Sequence, residues 1–191
     1  MKEMILAKGG EIVLKGANRY VFEKVLNNNM KSRLDALGNF RIRSAQSTIL
    51  IEPLDDFADM DEAYDQMKKV FGIIALSRAV VCEKDLSDIQ QKGGDYLEET
   101  LRRARTFKVE AKRSDKKFPY KSPQICDEMG GYLLSRFPHL KVDVHHPDVE
   151  VRVEVRDFAA FVHAGNEKGA GGMPLGGGGK ATLLLSGGID S

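Results

Sequence analysis

The sequence is poor in cysteine and contains no long hydrophobic run. Cys82 and Cys126 are the only cysteines among 191 residues, far apart and without C-x-x-C spacing. That excludes a disulfide framework and points to a reducing compartment, the cytoplasm. The longest apolar runs, such as Thr182–Leu185 and Ile73–Leu76, are far shorter than the roughly 18 residues a membrane span needs. The start, Met1-Lys2-Glu3-Met4, lacks the apolar core of a secretory signal. His139, His145, His146 and His163 have no ligand-like spacing with cysteine or paired carboxylates, so no metal site is expected. An excess of one charge is also missing. With 29 Lys and Arg against 28 Asp and Glu the net charge is +1, so attraction of a polyanion over the whole surface is weak. What is present is ordinary for a globular chain: 42% hydrophobic and 30% charged residues, enough apolar surface to offset chain entropy.

Charge is uneven along the chain. Between Arg102 and Lys121 nine basic residues face two acidic ones, a local excess of seven. Such a stripe on a neutral protein is an electrostatic footprint for a polyanion. Its centre, FKVEAKRSDKKFP over 107–119, places Lys108, Lys112, Arg113, Lys116 and Lys117 beside Phe118 and Tyr120. Lysines and arginine there suit a phosphodiester backbone, and the aromatic rings suit stacking on a base.

Periodicity supplies the elements. Residues 2–8 read as a strand. Asn18 is a cap candidate for a helix with Val21, Phe22, Val25, Leu26, Met30, Leu34 and Leu37 on one stripe, ended by Gly38. Two short strands around Phe40–Ile42 and Thr48–Ile51 follow, with a turn near Ala45-Gln46. Asp59 and Glu62 resemble a capping box for a helix carrying Met60, Ala63, Tyr64, Met67, Val70 and Phe71. Ile73–Val81 reads as a strand. The order strand, helix, strand, strand, helix, strand predicts a ferredoxin-like unit. A second unit opens with a helix capped at Ser87 with Gln90, weakened by Gly93-Gly94. A strand over Thr106–Lys112 and a helix capped by Ser122-Pro123 follow. Val149, Val151, Val153 and Val155 alternate with charged residues as a strand, and Phe158–Ala164 reads as its neighbour across a turn at Asp157. From Gly165 to Gly188 ten of 24 residues are glycine, which predicts a flexible linker. Ala181–Leu185 then reads as a buried parallel strand.

The final residues, Ser186-Gly187-Gly188-Ile189-Asp190-Ser191, follow that strand directly. Glycines there let backbone N–H groups approach phosphate oxygens, and Ser186 and Ser191 add hydroxyl donors. This S-G-G-x-D-S pattern resembles the PP-loop of ATP pyrophosphatases. The stretch 174–181 is a poor Walker loop, with Pro174 and Ala181 at two of its fixed positions.

Three features in order are similar to the tRNA 4-thiouridine synthetase family of tRNA sulfurtransferases. They are the ferredoxin-like unit with Lys15-Gly16-Ala17-Asn18-Arg19, the FKVEAKRSDKKFP stretch, which looks like a THUMP domain, and LLLSGGIDS. The resemblance implies an α+β chain: a ferredoxin-like domain at 1–84, a THUMP RNA-binding domain at 85–165, a Gly-rich linker at 166–180 and the start of a truncated PP-loop domain at 181–191. It implies tRNA contacts at Lys108, Lys112, Arg113, Lys116, Lys117 and Phe118, with Lys15 and Arg19 outlying. It implies ATP contacts at Ser186, Gly187, Gly188, Asp190 and Ser191, with ATP and Mg2+ used by the parent protein. No cofactor is expected for these 191 residues alone, which lack the family's persulfide cysteines and are expected to be inactive by themselves. A cysteine desulfurase is the implied sulfur donor, a homodimer is one assembly the resemblance allows, and the family is also linked to thiamine thiazole sulfur. Two alternatives stay open: a standalone THUMP-type RNA-binding module, and a PP-loop synthetase acting on another substrate.

Overall fold

The computed structural model describes residues 1–10, 19–45, 47–177, 182 and 186–188. The first half runs β1 (Glu3–Gly9), α1 (Arg19–Leu34), β2 (Phe40–Ala45), β3 (Thr48–Pro53), α2 (Met60–Lys68) and β4 (Ile73–Cys82). The second runs α3 (Leu86–Tyr96), α4 (Glu98–Arg103), β5 (Thr106–Arg113), α5 (Ser122–Arg136), β6 (Lys141–Val142), β7 (Val149–Val155), β8 (Ala160–Ala164) and β9 (Glu167–Lys168). The expected strand-helix alternation of the first half is present. Its strands pair antiparallel in the order β2-β3-β1-β4. Leu26, Met30 and Leu34 of α1 and Ala63, Tyr64 and Met67 of α2 are buried against Ile5, Ala7, Ile49 and Ile51. Asp59 caps α2 as its spacing predicts, accepting the Glu62 N–H at 3.0 Å. The stripes are narrower than the sequence pattern: Val21 and Phe71, both expected inside, are exposed. The cap candidate Asn18, Gln46 and the strand read at 181–185 (apart from Thr182) lie outside the described residues.

In the second half β5 lies parallel to β7, with Phe107 opposite Val149 and Arg113 opposite Val155. The helix expected to begin at Ser87 begins earlier. Asp85 is the cap, accepting the Ser87 and Asp88 N–H groups, because a carboxylate is a stronger acceptor than a hydroxyl. The helix expected at Ser122-Pro123 is capped one residue earlier too, with Lys121 N–H donating to Gln124 Oε1 at 2.8 Å. The glycine pair does not break α3; the break falls at Leu97. Gly93 and Gly94 are points of close packing. A Cβ on Gly93 would sit 2.9 Å from Val162 Cγ1 and 3.0 Å from Met129 Cε. Absence of a side chain lets α3 settle onto β8 and α5 over a core that includes Ile89, Leu101, Phe107, Ile125, Met129 and Leu133.

The two halves, read from sequence as separate domains, share one sheet. β4 pairs with β8, joining β2-β3-β1-β4 to β8-β7-β5-β6. Helices cover one face of this sheet in each half. On the other face Met4, Leu6, Leu50, Ala79 and Phe161 form a cluster of their own, all 3% exposed or less. The sheet buries them by curling on itself. Arg156, just past β7, reaches the β2–β3 hairpin, its Nη1 donating to Ala45 O at 3.0 Å and its Nη2 to Thr48 Oγ1 at 2.9 Å. Arg43 lies over the Phe158 ring at 5.7 Å, a second contact across the same gap. Arg156 is buried and pairs with buried Glu154. His163, also buried, has Nε2 3.6 Å from Glu154 Oε1 and Nδ1 2.7 Å from Gly165 O. A carbonyl only accepts, so Nδ1 carries the hydrogen. Burial alone would raise the Glu154 pKa, but the His163 ring and the Arg156 guanidinium outweigh it and hold the value at about 2.

The segment expected to be a flexible linker is tied down as far as Gly177. β9 pairs with β4 (Ala75 with Lys168, Leu76 with Glu167). Beyond it Gly169 N–H donates to Ile74 O, Ala170 to Lys68 O and Gly171 to Ile73 O. Leu175 O then accepts from Asn29 Nδ2 at 3.0 Å. Glycine serves close approach here: a Cβ on Gly169 would lie 2.4 Å from Ile73 O.

Gly93→Ala is expected to lower stability by about 1–3 kcal/mol through overpacking. Gly131→Ala, in α5 where a Cβ meets nothing within 4 Å, is expected to raise it by about 1 kcal/mol; a pair of urea titrations decides both. Glu154 has a lowered pKa, so its contribution is complete above about 4.5 and disappears as pH falls through about 2. Glu154→Gln should therefore cost on the order of 3 kcal/mol at neutral pH and lose less stability than the parent across that acid window, measured by thermal melts at stepped pH.

Candidate nucleic-acid interface

Much of the basic stripe is already neutralised. Arg102 and Arg103 pair with Glu98 and Glu99 one helical turn back. Along the helix-free face, β5 and β7 place Lys108 beside Glu150, Glu110 beside Arg152 and Lys112 beside Glu154. Lys108 Nζ lies 2.7 Å from Glu110 and 3.2 Å from Glu150. Those carboxylates, Glu110 first, raise its pKa above the usual lysine value. Expected as an RNA contact, Lys108 instead serves the sheet's charge ladder.

What remains is a built loop at the end of β5. Ser114 N–H donates to Val155 O at 2.8 Å, anchoring the loop to β7. Asp115 is buried, accepts the Lys117 N–H at 2.8 Å and pairs with Lys84 Nζ at 2.8 Å. The Lys84 ammonium and the Lys117 N–H hold its carboxyl below the usual range. Arg113 Nη1 donates to Phe118 O at 3.0 Å, closing the loop from inside. Lys112, Lys116 and Lys117 are left exposed. No salt-bridge partner reaches any of the three among the described residues. Lys121 follows, exposed at the start of α5, where the unpaired N–H groups of the first turn add partial positive charge. Phe118, expected to stack on a base, is 4% exposed and packs in the core with its ring 5.8 Å from Tyr120. A buried apolar ring gains more from the core than from solvent, so it offers no face to RNA.

The outlying contacts stand apart. Arg19 opens α1 and pairs with Glu23 at 2.6 Å. It borders a cleft of about 220 Å3 floored by Ala45 and Thr48. Lys15, Asp190 and Ser191 lie outside the described residues. Ser186, Gly187 and Gly188 are exposed, with Gly188 N–H toward Ser186 Oγ at 3.4 Å and open space where a Gly187 side chain would be. The structure leaves Lys112, Lys116 and Lys117 exposed at the end of β5 and in the loop after it, and places Arg19 at the start of α1. Burial pushes the Cys82 thiol up to about 12, which suits a core residue and not a nucleophile. Sequence reasoning passed over Asp115 and Lys84, the pair that shapes the loop. The signal was a lone aspartate inside a basic run.

A ferredoxin-like half thus shares one sheet with an α/β half that carries an exposed basic loop. Residues 4–77 match the family described as ThiI ferredoxin-like domain and residues 83–163 match the THUMP domain; the chain carries these two domains in that order. A relative from Lachnoclostridium phytofermentans, called a probable tRNA sulfurtransferase, is 49% identical over 100% of this chain and 49% of its own length. One of the same description from Acetivibrio thermocellus is 45% identical with the same coverage. Among solved structures, a 4-thiouridine synthetase in complex with RNA and bound ATP aligns with TM-score 0.82 and 35% identity, over 100% of this chain and 48% of that one. The chain thus spans about half the length of the curated relatives it matches.

Phe118→Ala is expected to destabilise the fold by about 3–5 kcal/mol, as for a core phenylalanine, while Lys116→Ala stays within about 0.5 kcal/mol of the parent. Denaturant midpoints for the two variants check this; equal midpoints would return Phe118 to the surface role.

Proposed function

We propose that this chain is the tRNA-binding N-terminal part of an ATP-dependent tRNA sulfurtransferase that makes 4-thiouridine. The observation that carries the reading is the match along the entire chain, at 35% identity, to a 4-thiouridine synthetase solved with RNA and ATP. The exposed lysine loop supplies the chemistry. Its exposed lysines sit on a chain of net charge +1, so phosphate attraction is local and oriented rather than diffuse.

In this reading the adenylyl group of ATP is transferred to the uridine C4 oxygen with release of pyrophosphate. The outer persulfide sulfur then attacks C4 and the oxygen departs as part of AMP. A second thiolate attacks the inner sulfur, breaking the S–S bond to release 4-thiouridine and leaving a disulfide that an external thiol reductant reopens. These residues contribute the grip on RNA: Lys112, Lys116 and Lys117 on the backbone, with Arg19 and Lys15 as outlying contacts and Arg113 holding the loop. Ser186, Gly187, Gly188, Asp190 and Ser191 would cradle the ATP phosphates, and a carboxylate at 190 suits Mg2+. A cysteine desulfurase as sulfur donor, a homodimeric assembly, a cytoplasmic location and sulfur supply for the thiamine thiazole belong to the same reading. A standalone RNA-binding module is the second reading, favoured by the self-contained sheet of residues 3–168.

The test is a salt titration of tRNA binding. Removing one lysine–phosphate pair should reduce the log–log slope by about 0.7–0.9. Lys112→Ala/Lys116→Ala/Lys117→Ala is therefore expected to flatten the slope by about 2, with circular dichroism unchanged. The same affinity and slope in the folded triple variant would reduce the loop to a solvated surface.

A further inference from the structure

Residues 155 and 156 connect two groups of residues, the lysine loop and the lining of the cleft beside Arg19 and Glu23. Val155 O accepts the Ser114 N–H at 2.8 Å, which holds the root of the lysine loop. The next residue, Arg156, donates to Ala45 O and Thr48 Oγ1. Those same two residues floor the cleft beside Arg19. A single dipeptide therefore touches the supports of both groups. The link is stiff. Arg156 is 5% exposed, its guanidinium spans two acceptors on the hairpin and a carboxylate on β7, and a planar fork held at three points has little freedom. Phe158, under Arg43, closes the same gap from the neighbouring turn.

We propose that Arg156 is a positioning residue for RNA. It sets the separation and angle between the lysine loop at 112–117 and the Arg19 cleft, so that a folded tRNA engages both at once. The proposal rests on the tRNA-binding reading and adds to it a requirement for rigidity. Two contacts on one frame behave as linked sites, and the second forms at a high effective concentration set by geometry. Loosening the latch lowers that concentration and leaves each contact intact.

The experiment measures the 191-residue chain against two probes: an unmodified tRNA transcript and a short single-stranded oligoribonucleotide that reaches only the loop. Arg156→Lys keeps the charge but loses the fork. It is expected to weaken tRNA binding roughly tenfold or more and to leave oligoribonucleotide binding unchanged. Unchanged tRNA affinity in folded Arg156→Lys overturns the proposal. Equal loss for both probes overturns it as well, since that marks damage to the loop itself. Should circular dichroism show Arg156→Lys unfolded, Phe158→Ala, at a half-exposed position, is judged by the same two criteria. Lysine-independent binding, or none, by the parent chain overturns the functional reading and this inference with it, and that result is separable because it appears before any latch variant is measured.

Discussion

A buried arginine closes the sheet. On the helix-free face Met4, Leu6, Leu50, Ala79 and Phe161 are buried, with the Arg156 guanidinium over the Phe161 ring and bonded to the β2–β3 hairpin. A two-layer fold would need a second set of helices there. Curling the sheet replaces that layer, and the guanidinium fixes the curl by donating to two acceptors on the hairpin, part-buried Ala45 O and buried Thr48 Oγ1. A charge so far from water is tolerated because Glu154 sits beside it and the hairpin oxygens complete most of its hydrogen bonds. Nε is the exception, buried with no hydrogen-bond partner among the described residues.

The lysine loop depends on similar logic at smaller scale. Exposed cations repel one another and would spread the loop. Buried Asp115 opposes that tendency from below, drawing in Lys84 from the connection after β4 and the Lys117 backbone. The anion at the centre is thus a condition for the cations at the rim. Arg113, one of the apparent contacts, is also spent on shape.

Periodicity carried most of the fold. The first six elements, the cap at Asp59 and the valine strand over 149–155 are legible because their signals are local: alternation, spacing and a carboxylate before a stripe. Two short strands, β6 and β9, have no such signal, since two residues carry no period. The shared sheet was hidden because β4–β8 pairing involves residues about 80 apart. Caps slid by one or two positions at Asp85 and Lys121, where several polar residues in a row compete. At the site, charge counting found the right loop and overstated it. Lys108 and Phe118 belong to the sheet and the core, and only cross-strand neighbours and burial, which a linear sequence does not display, tell them from Lys112 and Lys116.

The strap along β4 has a mechanical effect. A free chain from residue 166 to 177 would give anything attached after it a leash of about 40 Å, at roughly 3.3–3.6 Å per residue. Pairing at Ala75 and Leu76 and the bond from Asn29 to Leu175 take up that slack. The tether's origin is moved from the end of β8 to the flank of α1. Whatever follows Gly177 is therefore launched from beside Asn29 and Phe22 of α1 rather than from the end of β8.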